Sequence, residues 1–383
     1  MLARFTVIRV LTVFGTRPEA IKLAPVVRAL HAQANHFVSK VCVTAQHRGM
    51  LDQVLDTFDI RPDFDLDLMR DAQTPAAIAS SVLGSMPKIL RSARPDIVLV
   101  QGDTMTTFST ALAAYLEHIV VGHVEAGLRT GSFDHPFPEE MNRCLTTRIA
   151  DLHFAPTDVA GRILLEEGVP EADVFVTGNT VIDALLSTVN PDHAFDNDSL
   201  KSLDRNRPFI LLTTHRRESF GKPVRSICEA VREIAEAKRE FDVVVPVHPN
   251  PNVFDVVHET LGKVSNVLLV NPLGYADFAN LMARARLILT DSGGIQEEAP
   301  ALNIPVLVLR ETTERPEAVA AGATRLVGTN RELIVRAVLD LLDDNKAYEA
   351  MASAPCPFGQ GDAAMRILSA IRQRLVLTPA SRE

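Results

Sequence analysis

Short runs of β-branched and aliphatic residues recur along this chain, each followed by a longer stretch with helical spacing. This alternation restricts the possible folds more than any other feature. In the first half the runs fall at 10–14, 41–44, 97–100, 119–121, 152–155 and 174–177. In the second half they fall at 209–213, 243–247, 267–270, 287–290, 306–309 and 325–327. They are apolar at successive positions, the pattern of strands covered on both faces, and so predict parallel sheets flanked by helices. Twelve strands exceed what one open sheet of this kind usually holds. The expected fold class is therefore α/β, with two doubly wound, Rossmann-like domains.

A length of 383 residues fits two domains. The first is expected over 1–178, joined by a returning C-terminal helix at 360–376, and the second over 179–359. The polar, turn-rich run 189–207 carries Asn190-Pro191-Asp192, Asp196-Asn197-Asp198 and Asn206-Arg207-Pro208, and reads as an interdomain region or surface loop. Lys and Arg number 39 against 48 Asp and Glu, a net charge of −9. Such a balance supplies no broad basic field, which argues against nucleic acid or an anionic membrane as partner. No apolar run approaches the ~18 residues of a membrane span. Arg4 and Arg9 interrupt the N-terminal apolar stretch, so residues 1–8 read as an extension before the first strand and not as a signal peptide. Cys42, Cys144, Cys228 and Cys356 are scattered without CxxC spacing, as expected of reduced thiols in a cytoplasmic protein.

Ligands of open α/β sheets bind beyond the carboxyl ends of the strands, and these strand ends are polar. In order they carry Gly15-Thr16-Arg17-Pro18-Glu19, Gln46-His47-Arg48, Gly102-Asp103-Thr104 and His123-Val124-Glu125-Ala126-Gly127. In the second half they carry His215-Arg216-Arg217-Glu218, His248-Pro249-Asn250, Asp291-Ser292-Gly293-Gly294, and Arg310 leading to Thr313-Glu314-Arg315-Pro316-Glu317. Polar endings on the same edge of both domains predict an active site in a shared interdomain cleft.

Each motif has a plainer reading beside the functional one. Gly15 to Pro18 forms either an anion site, from free helix N–H groups and Arg17, or a simple strand-to-helix turn. Ser292, Gly293 and Gly294 can hold a phosphate or serve close helix packing. Glu297 and Glu298 can each accept from sugar hydroxyls or be solvated helix residues, and for Glu297 the solvated reading is favoured. Asp103, Glu125 and Glu139 are acids that, gathered in one cleft, divide into proton donor and acceptor. Read locally, Glu139 is a first-turn Glu favoured by the helix dipole. His215 and His248 are phosphate donors or structural hydrogen-bonders. Neither GxGxxG, nor a Walker A sequence, nor HExxH spacing occurs, so no nicotinamide cofactor and no metal is expected.

The order of these motifs resembles the non-hydrolysing UDP-N-acetylglucosamine 2-epimerases from Arg9 to about Arg374. The resemblance rests on the residues from Val13 to Lys22, Thr44 to Arg48, Gly122 to Thr130, His215 to Phe220, Asp291 to Pro300 and Thr313 to Ala318. It implies the two-domain fold of the glycosyltransferase-B type. It also implies a cofactor-free interconversion of UDP-GlcNAc and UDP-ManNAc, by anti elimination of UDP to 2-acetamidoglucal and re-addition. By resemblance Asp103, Glu125, Glu139 and His215 are catalytic, with no one acid assigned as the C2 base. Arg17, Lys22, His215, Ser292, Gly293, Gly294, Glu298 and Arg315 are implied to bind UDP and substrate. Gln46, Arg70, Arg217 and His248, with Glu139, are compatible with a second, activating UDP-GlcNAc site, although Gly49 lacks the polar side chain often seen there. Gln101 stands where many relatives have His, Thr214 where Gly is common and Phe137 where Trp is frequent. A homodimer is implied as well. The rival readings are a glycosyltransferase of the same fold, a hydrolysing epimerase and a catalytically silent sugar-nucleotide sensor.

Overall fold

The expected runs assemble into two all-parallel sheets in a computed structural model that describes residues 7–45, 48–68, 70, 73–204 and 206–377. The first sheet contains β1 (Ile8–Phe14), β2 (Phe37–Val43), β3 (Phe64–Asp65), β4 (Ile97–Gln101), β5 (Val120–Val124), β6 (Leu152–Ala155) and β7 (Val174–Val176). The second contains β8 (Phe209–Thr213), β9 (Asp242–Pro246), β10 (Val267–Val270), β11 (Leu287–Thr290), β12 (Val306–Val308) and β13 (Thr324–Leu326). Twelve of these lie on the predicted runs. The unexpected one is β3, an edge strand of two residues whose only pairs are Cys42 with Phe64 and Val43 with Asp65. A segment this short, between Asp63 and Asp67, has no periodicity to read. β1 begins at Ile8, so the extension expected at 1–8 reaches no further than Val7; residues 1–6 lie outside the described residues.

Two units divide the chain. One comprises the described residues up to Ala184 together with those from Phe358 onward; the other is Leu185–Pro357. The helix Ala363–Leu377 returns to the first unit and packs on the helix Arg17–Ala32. Its start is fixed by Asp183, whose carboxylate accepts the N–H groups of Ala363 at 3.2 Å and Ala364 at 2.9 Å. The polar run 189–207, read from sequence as an interdomain region or surface loop, follows the boundary between the units and is tied to the second. Asp277, itself buried, accepts from His193 Nε2 at 2.7 Å and from the N–H groups of Asp196 and Asn197. Phe195 and Leu200 are buried in the core of the second unit. Arg205 lies outside the described residues.

Helices cover both faces of each sheet because their apolar residues recur on one side. In Lys222–Ala237 the buried positions are Val224, Ile227, Cys228, Ala230, Val231, Ile234 and Ala235. Each large aliphatic among them contributes about 1.5–3 kcal/mol by leaving water. Strand order in the first sheet is β3-β2-β1-β4-β5-β6-β7, and in the second β10-β9-β8-β11-β12-β13. The chain therefore reverses its direction of travel between β1 and β4, and again between β8 and β11. Crossovers leave on opposite faces at such points and open a crevice at the carboxyl edge, where ligands of this fold class bind. Among the described residues no helix is long and apolar enough to cross a membrane.

Candidate active site

At the first reversal point β1 ends in Gly15. A Cβ there would lie 2.1 Å from Thr44 Oγ1 and 2.7 Å from Thr106 Oγ1, two hydroxyls themselves 3.0 Å apart. Only glycine lets these strand ends close up. Gly15→Ala is expected to cost about 1–3 kcal/mol through overpacking, and an unchanged thermal midpoint would show that the turn yields instead. Next to it Glu19, 1% exposed, accepts the N–H groups of Gly15 (3.0 Å) and Thr16 (2.7 Å) on one oxygen. Its other oxygen accepts the hydroxyls of Thr104 (2.7 Å) and Thr107 (3.1 Å). Glu19 thus ties the β1 turn to the β4 turn and is spent on structure. Arg17 begins the helix half-buried, and its guanidinium makes no ion pair among the described residues.

Two acids converge at the ends of β4 and β5. Glu125 is buried, and its carboxylate accepts from Lys22 Nζ at 2.5 Å, from Asn179 Nδ2 at 3.1 Å and from Gln101 Nε2. Its backbone is left-handed (φ +63°). That conformation costs of order 1–3 kcal/mol for a residue with a side chain and collects at functional positions. Asp103 accepts from Arg143 Nη2 at 2.5 Å, while its main-chain carbonyl accepts from Asn142 Nδ2 at 2.9 Å. Burial pushes the Asp103 carboxyl above its ordinary range. Arg143 and Lys22 work against this and the Glu125 charge adds to it. One carboxylate is thus clamped by a lysine, and the other is raised toward the range useful for proton transfer.

Glu139 is the first residue of the helix Glu139–Ile149, half-buried, and its carboxylate makes no hydrogen bond among the described residues. It stands one turn before Arg143 and so shares the helix face that carries the Asp103 contacts. The buried acid at this helix start is its neighbour Glu140, which accepts the N–H groups of Thr130 (2.9 Å) and Gly131 (3.0 Å) and backs Arg143 at 3.4 Å.

In the second unit Ser292 occupies the N-cap position of the helix Gly293–Ala301, and Gly293 and Gly294 form its first turn. A Cβ on Gly293 would meet Arg216 Nη2 at 3.5 Å and Arg315 Nη2 at 4.0 Å. Two guanidinium groups therefore converge on free helix N–H groups, an arrangement that favours anions. Arg315 is held by Glu297, which is 2% exposed and pairs with its Nε. The expectation of a solvated Glu297 is thus corrected, because the arginine it serves lies 18 residues further along the chain. Glu298 is also buried. His215 is 42% exposed at its side chain and stacks on His248, with ring centroids 6.0 Å apart. Burial, together with His215, holds the pKa of His248 below its ordinary value, against the pull of Asp291.

Of the residues considered for a second nucleotide-sugar site, Gln46 lies outside the described residues. Arg70 is exposed, its Nη1 donating to the Asp67 carbonyl at 3.1 Å. Arg217 lies in the short turn Arg217–Ser219. Sequence reasoning missed Arg143, Asn142, Asn179 and Asp291 as members of the site. Only Asp291 had a local signal, its place directly after a strand. Among the described residues no group of three or more His, Cys, Asp or Glu side chains is arranged to hold a metal ion.

Fold and side chains together define a doubly wound α/β protein with an acidic site in one unit and an anion-accepting site in the other. A sequence profile described as UDP-N-acetylglucosamine 2-epimerase matches residues 28–372. The chain belongs to that family. The UDP-N-acetylglucosamine 2-epimerase of Escherichia coli K12 is 52% identical over 376 residues, covering 96% of this chain and 99% of that protein. The UDP-GlcNAc 2-epimerase of Neisseria meningitidis, solved bound to UDP-GlcNAc, is 45% identical with a TM-score of 0.85, covering 96% of this chain and all of that one. MnaA of S. aureus, solved with UDP, is 44% identical with a TM-score of 0.86, covering 97% and 98%.

Proposed function

We propose that the protein is an enzyme that epimerises UDP-GlcNAc at C2 to UDP-ManNAc, reversibly and without a cofactor. UDP goes to the residues Ser292, Gly293, Gly294, Arg315 and His215, with Glu298 taking the ribose hydroxyls. The sugar goes to Asp103, Glu125 and Glu139. A carboxylate takes the C2 proton as the C1–O bond breaks. The C–H electron pair becomes the C1=C2 double bond of 2-acetamidoglucal, and UDP leaves with the C–O pair. Charge growing on the departing diphosphate is met by the guanidinium groups and the helix N-terminus. Re-addition of UDP at C1 with protonation of C2 from the other face completes the inversion.

The observation that carries this reading is the pairing of two unlike acids at adjacent strand ends: Glu125 clamped by Lys22, and Asp103 raised by burial. Proton removal and proton return need groups with different proton affinities, and this pair supplies them. The ligands in the related structures, UDP-GlcNAc and UDP, support the same substrate class.

Incubation with UDP-GlcNAc in D₂O, followed by NMR, tests it. UDP-ManNAc carrying deuterium at C2 is the expected product. Free ManNAc with UDP would replace the reading with the hydrolysing reaction, and unchanged substrate would overturn both. The reading extends to a cytoplasmic homodimer, checked by sedimentation. It also includes activation by a second UDP-GlcNAc at Arg70, Arg217, His248 and Gln46, against which strictly hyperbolic kinetics would count.

A further inference from the structure

Asp291 follows β11 directly, at the reversal point beside β8, and is 0% exposed. Its carboxylate accepts the Thr214 hydroxyl (3.0 Å), the N–H groups of His215 (3.0 and 3.1 Å) and Arg216 (3.0 Å), and the Ser219 hydroxyl (3.1 Å). In addition His215 Nδ1 lies 3.2 Å from Asp291 Oδ1. Burial alone would raise this carboxyl, but the His215 ring and the two backbone N–H groups outweigh it and bring the pKa to about 2. Asp291 is therefore a carboxylate throughout the working pH range.

An anchor for the β8 turn needs only the hydroxyls and amides. The ring contact does something more. An imidazole whose Nδ1 faces a carboxylate is favoured in the Nδ1–H tautomer, which leaves Nε2 for whatever it serves. The neighbouring ring of His248 stacks on His215 at an interplanar angle of 28°. The same carboxylate holds the amide of Arg216, the residue whose guanidinium stands over Gly293.

We propose that Asp291 is a positioning residue, which fixes His215 with Nε2 toward the leaving diphosphate and sets Arg216 over the helix N-terminus. The inference rests on the reading of this site as the UDP site. No atom of Asp291 needs to reach the substrate. Its contribution is to remove the freedom of two groups that do, and misplacement of such groups by about 1 Å can cost on the order of 100-fold in rate.

Two measurements test it. The first is the ring-nitrogen NMR spectrum of ¹⁵N-histidine-labelled protein at pH 8, with His215→Gln supplying the assignment. A protonated Nδ1 on His215 is expected, and a bare Nδ1 with the proton on Nε2 overturns the proposal. This measurement needs no variant at Asp291 and no activity, so it decides the point even if Asp291→Asn does not fold or UDP-GlcNAc is not the substrate. The second is a cycle of Asp291→Asn, His215→Ala and the double variant, with folding verified by thermal midpoint. Asp291→Asn is expected to lower kcat by on the order of 100-fold. The loss in the double variant should fall well short of the product of the two single losses, because part of what Asp291 does is done through the His215 ring. Losses that multiply would show a separate, structural role and overturn the inference. Wild-type protein inert toward UDP-GlcNAc would instead sink the functional reading, with the tautomer result left standing.

Discussion

Asp103→Asn is expected to reduce turnover of UDP-GlcNAc by on the order of 10³-fold, within the usual contribution of a positioned acid or base. UDP should bind within a few-fold of wild type. The substitution is isosteric, so the main-chain carbonyl keeps its bond from Asn142 Nδ2 and the turn after β4 keeps its shape. What disappears is the ability to take up and return a proton, in a group whose surroundings already favour the protonated form. Arg143 loses a charged partner at 2.5 Å but retains Glu140 at 3.4 Å, so its charge stays compensated. Glu125→Gln differs in this respect. It would leave the ammonium of Lys22, only 16% exposed, without the carboxylate it meets at 2.5 Å. Removing one partner of a buried ion pair typically costs about 3–5 kcal/mol, so stability and rate should fall together there. Steady-state kinetics, calorimetric UDP binding and thermal midpoints on both variants separate the two cases. More than a tenth of wild-type kcat in Asp103→Asn would remove Asp103 from the mechanism.

These acids were legible in the sequence because each directly follows a strand, and the fold class fixes where strand ends point. Their partners were not. Arg143 meets Asp103 across 40 positions and Asn179 meets Glu125 across 54, and no local pattern reports such distances. Glu297 shows the same limit from the other side. Its helix neighbours give no sign that Arg315 turns back onto it, so a local reading makes it a surface residue although it is almost fully buried. The strands were read with small boundary errors because a continuous apolar run of four or five residues is itself the cause of a doubly covered strand. β3 escaped because edge pairing, not composition, makes it a strand. The order within the run 189–207 has no local signal because it comes from Asp277, a single buried carboxylate about eighty residues away. What sequence conveys well is which residues lie on which edge. What it conveys poorly is which of two neighbouring acids is structural, as Glu139 and Glu140 show: the buried one, which holds two main-chain N–H groups, was the one passed over.

The first unit should lose stability steeply in mild acid, through a histidine that takes no part in the proposed chemistry. His123 lies on β5, 0% exposed, and its Nε2–H donates to the Gly102 carbonyl at 2.7 Å. It thereby holds the residue immediately before Asp103. Burial, reinforced by His153 and Arg129, holds its pKa down to about 3 from an ordinary 6.5, although the Gly102 hydrogen bond pulls the other way. The unfolded chain therefore binds a proton near pH 6.5 that the folded chain refuses until about pH 3. Between those values the unfolded state carries more protons, so stability rises with pH and falls on acidification. The slope from this one group approaches about 1.4 kcal/mol per pH unit, and the full effect is roughly 5 kcal/mol. His153, also lowered by burial, acts in the same direction. Asp103 and Asp183, whose carboxyls burial raises, work in the opposite direction, whereas Asp291 lies in the second unit and with a pKa of about 2 contributes its own loss only in stronger acid. Urea unfolding of the first unit, followed between pH 7 and 4.5, is expected to show the slope. In His123→Gln, which keeps a donor for Gly102 but cannot titrate, the slope should drop by about one proton. Equal slopes in the two proteins would mean that the imidazole already takes up its proton in the folded chain. The Gly102–Asp103 turn would then have to tolerate a buried imidazolium beside it.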